Sequence, residues 1–334
     1  MNRVGDHGLF SGVGSMPGEN VRETTRLVLG EVPVPFLPEL PARPYGDLLS
    51  RAAAVLTELA VDLQPAGWRL TGASGGHAGL DQRRARSLLL QDLDALEELA
   101  ADHTGPLKIQ LAGPWTLAAL VERPRGDKVL ADHGARRDLA EALAYGLAQH
   151  VEEVRRRVPA AELVVQLDEP GLPAVLAGAI PTASGWGKHR PVDEPGAIEL
   201  LRPVLAAAGE SATVLHCCAK QPPVALFRKA GAGGVSVDLS LVDHATWDDV
   251  ATAVEGGATL YAGVVPTLGP LLRPDQVAPV LTKRWLELGL PAKQLADVVI
   301  TPTCGLSGST PAGARATLTL CRRVAEVVAE QSAA

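Results

Sequence analysis

The chain has 334 residues, 46% of them hydrophobic, and a formal net charge of −7. That is enough chain for a large buried core, and 31 Lys and Arg against 38 Asp and Glu, scattered rather than gathered in a stripe, exclude a basic face for nucleic acid or an anionic membrane. No apolar run of about 18 residues and no charged-then-apolar leader is visible, so a cytoplasmic protein is expected.

Short apolar, β-branched runs alternate with longer segments of helical period along the whole chain. In order, strands are predicted over Gly8–Ser15, Val34–Leu40, Leu107–Gly113, Glu162–Asp168, Ala212–Cys218, Gly234–Leu239, Thr259–Val265 and Asp297–Cys304, with Trp68–Thr71 as an additional strand in a less regular first third. Helices are predicted over Arg83–Ala101, Arg136–Arg157, Pro195–Ala208, Pro274–Leu288 and Gly313–Ala329, and Pro173–Pro195 reads as a loop long enough to cover a site. Strand followed by helix, repeated eight times, predicts an α/β fold: one (β/α)₈ TIM barrel as a single domain over residues 1–334. A doubly wound sheet is disfavoured, because no complete G-x-G-x-x-G or phosphate-binding loop follows a strand.

This architecture collects its chemistry where strands end. The fifth strand ends Val214-Leu215-His216-Cys217-Cys218, and the alternation of side chains puts His216 and Cys218 on one face and Cys217 on the other. The eighth ends at Cys304, which a closed barrel brings to the same rim. Imidazole plus two thiolates is a zinc set with a fourth position open, whereas Cys321 lies inside a helical stretch and reads as core. Four cysteines with two adjacent make a poor disulfide framework in any case.

The sixth strand brings Asp238 to the rim, as a fourth zinc ligand or as an acceptor for His216. The fourth ends in Asp168 and Glu169, which are either site carboxylates or a loop and helix N-cap pair. Gly14 and Ser15 close the first strand in a turn suited to a small carboxylate, and Glu39 near the end of the second can meet an ammonium. Gly113-Pro114-Trp115-Thr116 starts a helix and shapes a pocket wall.

In order, GSMP, LAGPWT, QLDEP, HCC, SVDLS and TPTCGL resemble the signatures of cobalamin-independent methionine synthase, in its catalytic C-terminal barrel, over almost the whole chain. The resemblance implies zinc on His216, Cys218, Asp238 and Cys304. It implies homocysteine held by Gly14 and Ser15 at its carboxylate and by Glu39 and Asp168 at its ammonium. Asp238 stands where the family has Glu, one methylene longer.

On the folate side the departures cluster. Ala174 replaces a folate-binding Glu, Leu120 a stacking Trp, and Pro266-Thr267-Leu268-Gly269-Pro270 a segment that supplies a proton-donating His. The resemblance is therefore to short, single-barrel members without the N-terminal barrel of the long enzymes. The implied activity is zinc-dependent methylation of homocysteine to methionine, with methylcobalamin or a methylated corrinoid protein as donor rather than methyltetrahydrofolate. A coenzyme M methyltransferase and a non-catalytic zinc or thiol-binding relative remain as alternatives.

Overall fold

The structure is a computed structural model that describes residues 8–71, 78–270 and 272–332. Its strands are β1 (Leu9–Phe10), a hairpin of β2 (Val61–Gln64) and β3 (Gly67–Leu70), then β4 (Gly105–Ala112), β5 (Ala161–Asp168), β6 (Ala212–Cys217), β7 (Gly234–Asp238), β8 (Thr259–Val265) and β9 (Val299–Pro302). Seven of them form one parallel sheet in the order β1-β9-β8-β7-β6-β5-β4, with β2 and β3 paired antiparallel beside it. Helices follow the strands, and the expected ones are all present within a few residues of their predicted bounds: Leu80–Leu99, His133–Arg157, Glu194–Ala206, Pro274–Glu287 and Pro311–Ser332. The His133–Arg157 helix shows why the pattern was readable: Asp132 caps its first turn by accepting from the Ala135 amide at 2.9 Å, and Arg155, Arg156 and Arg157 complement the dipole at its end.

The sheet curls, but the second expected strand, over Val34–Leu40, does not form. That segment lies between β1 and β4 and touches each through isolated bridges, Ser15 to Glu39 and Phe36 to Lys108. Its backbone hydrogen bonds alternate sides: the Val34 amide donates to Phe10 O at 3.3 Å, the Leu37 amide to Lys108 O at 2.9 Å, and the Glu39 amide to Gly14 O at 3.1 Å. Pro33, Pro35 and Pro38 carry no N–H, so a continuous ladder is impossible here. The result is a curled seven-stranded sheet whose open edges are spanned by a proline-interrupted segment, rather than eight regular strands.

Parallel strands covered by helices are buried on both faces, which explains the unbroken apolar runs of β5 and β8. On the inner face the packing is layered. Val34, Val164, Val214, Tyr261 and Val299 form an apolar floor. Two residues further along the same faces of β5, β6 and β9 come the polar Gln166, His216 and Thr301, and two further again the chain reaches the rim.

Candidate functional site

The strand register stacks the site. Asp168 stands opposite His216, and His216 opposite Ser236, so β5, β6 and β7 present Gln166, Asp168, His216, Cys218, Ser236 and Asp238 to the same interior. Cys217 faces the other way and is fully buried, with its thiol pushed up to about 12 by that burial. Cys321 is likewise buried core in the C-terminal helix.

The Sγ atoms of Cys218 and Cys304 lie 3.3 Å apart, in hydrogen-bond contact. That contact draws Cys304 down to about 6 and raises Cys218. Gly305 lets the loop after β1 come close, since a Cβ there would sit 2.0 Å from Ser15 Oγ and push that side chain aside. Ser15 Oγ in turn meets Ser307 Oγ at 3.3 Å, so the two loops lock together at the rim. His216 is 3% exposed; burial first, and Lys108 second, lower its imidazole to about 3, which keeps it neutral. Its Nδ1 meets Ser236 Oγ at 2.9 Å, and its buried Nε2 has no partner among the described residues.

Ser236, rather than Asp238, is therefore the group that orients His216, because register places it directly opposite. Asp238 Oδ1 accepts from the Ser240 amide at 2.9 Å and the Ser240 hydroxyl at 2.6 Å, which fixes the turn after β7. Its charge is nonetheless felt by Cys304.

For zinc the donor chemistry fits. A neutral imidazole with an orphaned buried nitrogen and two sulfurs at 3.3 Å suit a tetrahedral ion, on which two thiolates stand about 3.8 Å apart given Zn–S near 2.3 Å. Among the described residues, however, no three His, Cys, Asp or Glu side chains converge as a finished metal cage.

Beside the sulfurs lies a buried polar cage. Glu39 accepts from Gln110 Nε2 at 3.1 Å and has Arg51 Nε at 3.9 Å; burial, opposed by Arg51, raises its carboxyl. Asp168 accepts from Gln166 Nε2 at 2.7 Å, and burial together with the Glu39 charge holds its carboxyl well above the usual range. Gly14 packs against Gln110, and its carbonyl receives the Glu39 amide, so Gly14, Ser15 and Glu39 share one corner of the cage.

Glu169 departs from this group. Its Oε1 accepts from the Trp115 amide at 2.9 Å, and its Oε2 from the Thr116 amide and hydroxyl at 2.7 and 2.8 Å. It caps the Pro114–Leu120 helix and takes no part in the cage, while its burial raises it to about 7.

Sequence reasoning missed the cation at the base of the cage. Lys108 is fully buried, donates to Val13 O at 2.7 Å and to Gln166 Oε1 at 2.8 Å, and is lowered by burial to about 8. A signal was available: Lys108 and Gln110 alternate on one face of an otherwise apolar strand, as Gln166 and Asp168 do on the next.

Comparison with known proteins places the geometry. The family profile described as cobalamin-independent synthase, catalytic domain, matches residues 106–327. No curated protein sequence matches the chain. Among solved structures, a B12-independent methionine synthase from Shewanella sp. W3-18-1, in complex with selenomethionine, superposes with a TM-score of 0.65 at 14% identity over 96% of this chain and 97% of that one, a likeness of fold alone. A mandelate oxidase mutant (TM-score 0.29, 15% identity, 85% of each chain) and the carboxyl transferase domain of Rhizobium etli pyruvate carboxylase (0.25, 15%, 70% of this chain and 43% of that one) are too distant to support an argument. No helix among the described residues is long and apolar enough to cross a membrane. With its profile match spanning β4 to the C-terminal helix, the chain belongs to the cobalamin-independent methionine synthase family.

Proposed function

We propose that this protein is an S-methyltransferase that methylates the thiol of homocysteine to methionine, with zinc held by His216, Cys218 and Cys304. The observation that carries the proposal is the pair of sulfurs 3.3 Å apart at the same rim as two buried carboxylates, Glu39 and Asp168. Bound there, zinc supplies the Lewis acidity that ionises a substrate thiol, which with a free pKa of about 8.5 is otherwise mostly protonated at neutral pH.

The chain's own residues do the rest. Glu39 and Asp168 are costly to ionise together in a dry cage, and an ammonium entering between them compensates both charges. The loop at Gly14 and Ser15 receives the substrate carboxylate, and the two anchors aim the sulfur at the cysteines. The sulfur lone pair then forms the new bond to the methyl carbon, while the bond from methyl to donor breaks and its electrons stay with the donor. Selenomethionine in the Shewanella neighbour, an analogue of the methylated product, supports homocysteine over coenzyme M, whose sulfonate gains nothing from two carboxylates.

The donor is the finer question. The family is cobalamin-independent by description, which counts against the methylcorrinoid expected from the sequence. What supports that expectation is the loss of the folate side chains: Leu120 and Leu268 are 44% and 82% exposed where the resemblance has a stacking Trp and a His.

The test is methionine formation by the purified protein, assayed for zinc content, from homocysteine with methylcobalamin and, separately, with methyltetrahydrofolate. Turnover with one donor identifies it; no turnover with either, together with a thermal shift from coenzyme M but none from homocysteine, overturns the proposal.

A further inference from the structure

A cavity of about 1070 Å³ lies outside the sheet, between the starts of the His133–Arg157 and Glu194–Ala206 helices. None of its lining residues belongs to the cysteine rim or the carboxylate cage. Its wall carries four permanent cations, Arg136, Arg137, Lys188 and Arg190, against two carboxylates, Asp193 and Glu199. Asp193 is already engaged, capping its helix through the Gly196 amide at 3.1 Å.

Arg136 is the unusual member. It is 8% exposed, and among the described residues its guanidinium makes no ion pair and no hydrogen bond; it lies over the Trp115 ring, 5.8 Å from the centroid. Burial lowers its basicity, with Asp132 the charge opposing that effect. Asp132 itself is committed to the Ala135 amide and lies 3.7 Å from Arg123. A largely buried arginine without an ion pair among the described residues, set over an aromatic ring with its guanidinium lining an open cavity, is placed to receive an oxyanion.

We propose that this cavity is a second binding site and that it takes a phosphate ester. Arg136 would engage the phosphate oxygens in the bidentate mode, with Lys188 and Arg190, both exposed at the mouth, neutralising the remaining charge. The volume far exceeds a bare phosphate and matches a small organic ligand, so the phosphate is the handle and an organic body fills the remainder.

Isothermal titration of the whole protein with adenosine monophosphate, inorganic phosphate and adenosine, at matched ionic strength, tests the site. Saturable binding of the monophosphate is expected, weaker binding of inorganic phosphate and none of adenosine. Arg136→Gln should weaken the monophosphate about ten- to a hundred-fold, the loss of charge-assisted hydrogen bonds, with unchanged circular dichroism. Should Arg136→Gln fail to fold, the surface double variant K188Q/R190Q is expected to weaken binding as well. Inorganic phosphate and the monophosphate both failing to bind the wild-type protein overturns the proposal. So does adenosine binding as well as its monophosphate, or binding that survives every folded variant. The readout is binding alone, so the outcome is independent of methyl transfer.

Discussion

Among the described residues the His216 imidazole makes a single hydrogen bond, and that bond decides which nitrogen is free. With Ser236 Oγ at 2.9 Å from Nδ1, the buried Nε2 is left for a metal. Ser236→Ala removes the tether without touching either sulfur, and zinc affinity is expected to fall about 10- to 100-fold, as for other groups that orient metal-ligating histidines. Competition with a chromogenic chelator measures it, and unchanged affinity would show that the ring is fixed by packing. Lys108 acts at longer range. Its charge acts on Asp168 and, behind that of Arg51, on Glu39, and its ammonium fixes the Gln166 amide so that Nε2 faces Asp168. Lys108→Met removes a charge that lowers the Asp168 carboxyl, so that carboxyl rises further. Homocysteine needs the ionised form, and KM falls as pH rises through this titration. The KM profile should therefore shift alkaline. A purely structural lysine would lower the melting temperature and leave the profile where it was.

The Pro114–Leu120 helix docks onto the sheet through Glu169, which satisfies two amides of its first turn from the end of β5. Glu169→Gln keeps the size but turns one acceptor into a donor facing N–H groups. Unfolding free energy should drop by about 1–3 kcal/mol, the cost of a buried unsatisfied group, read from urea denaturation at constant m-value. No change would mean that the helix is held by Trp115 and its hydrogen bond to Ala197 O instead. Elements of this kind divide what the sequence disclosed from what it concealed. Long helices announced themselves through period and caps, and β5 to β8 through apolar runs between them. The approach of Cys218 and Cys304 was legible from where their strands end, and the shared face of His216 and Cys218 from strand alternation. Glu169 stood one residue from Asp168 with the same charge, and only three-dimensional contact separates the cap from the cage. Val34–Leu40 misled because its composition is that of a strand while its prolines deny it a ladder. Arg136 could not be found from the chain, since nothing local distinguishes a buried arginine from its exposed neighbour Arg137.

Closure of the whole molecule rests on that proline-interrupted segment, and the proposed substrate contacts lie along it. Five backbone bonds span the seam: the three donated by Val34, Leu37 and Glu39, together with the Met16 amide to Glu39 O at 2.8 Å and the Lys108 amide to Pro35 O at 2.8 Å. Pairs of β5 to β8, in contrast, are continuous ladders of four to five residues or more. The seam should therefore open at lower free energy than the rest of the sheet, and its amides should exchange hydrogen first. Glu39 sits on one side of the seam, Gly14 and Ser15 on another, and Asp168 across β4. A ligand that joins an ammonium to a carboxylate ties these sides together and must stabilise the closed form by its binding free energy, about 2.7 kcal/mol at a concentration of 100 Kd. Exchange at Met16, Leu37 and Glu39 is accordingly expected to slow on addition of homocysteine, in the zinc-loaded protein, while amides in β6 and β7 stay as they were. Uniform slowing across all strands would place the ligand's effect on global unfolding instead, and no slowing at the seam would remove Glu39 and Gly14 from the substrate's contacts.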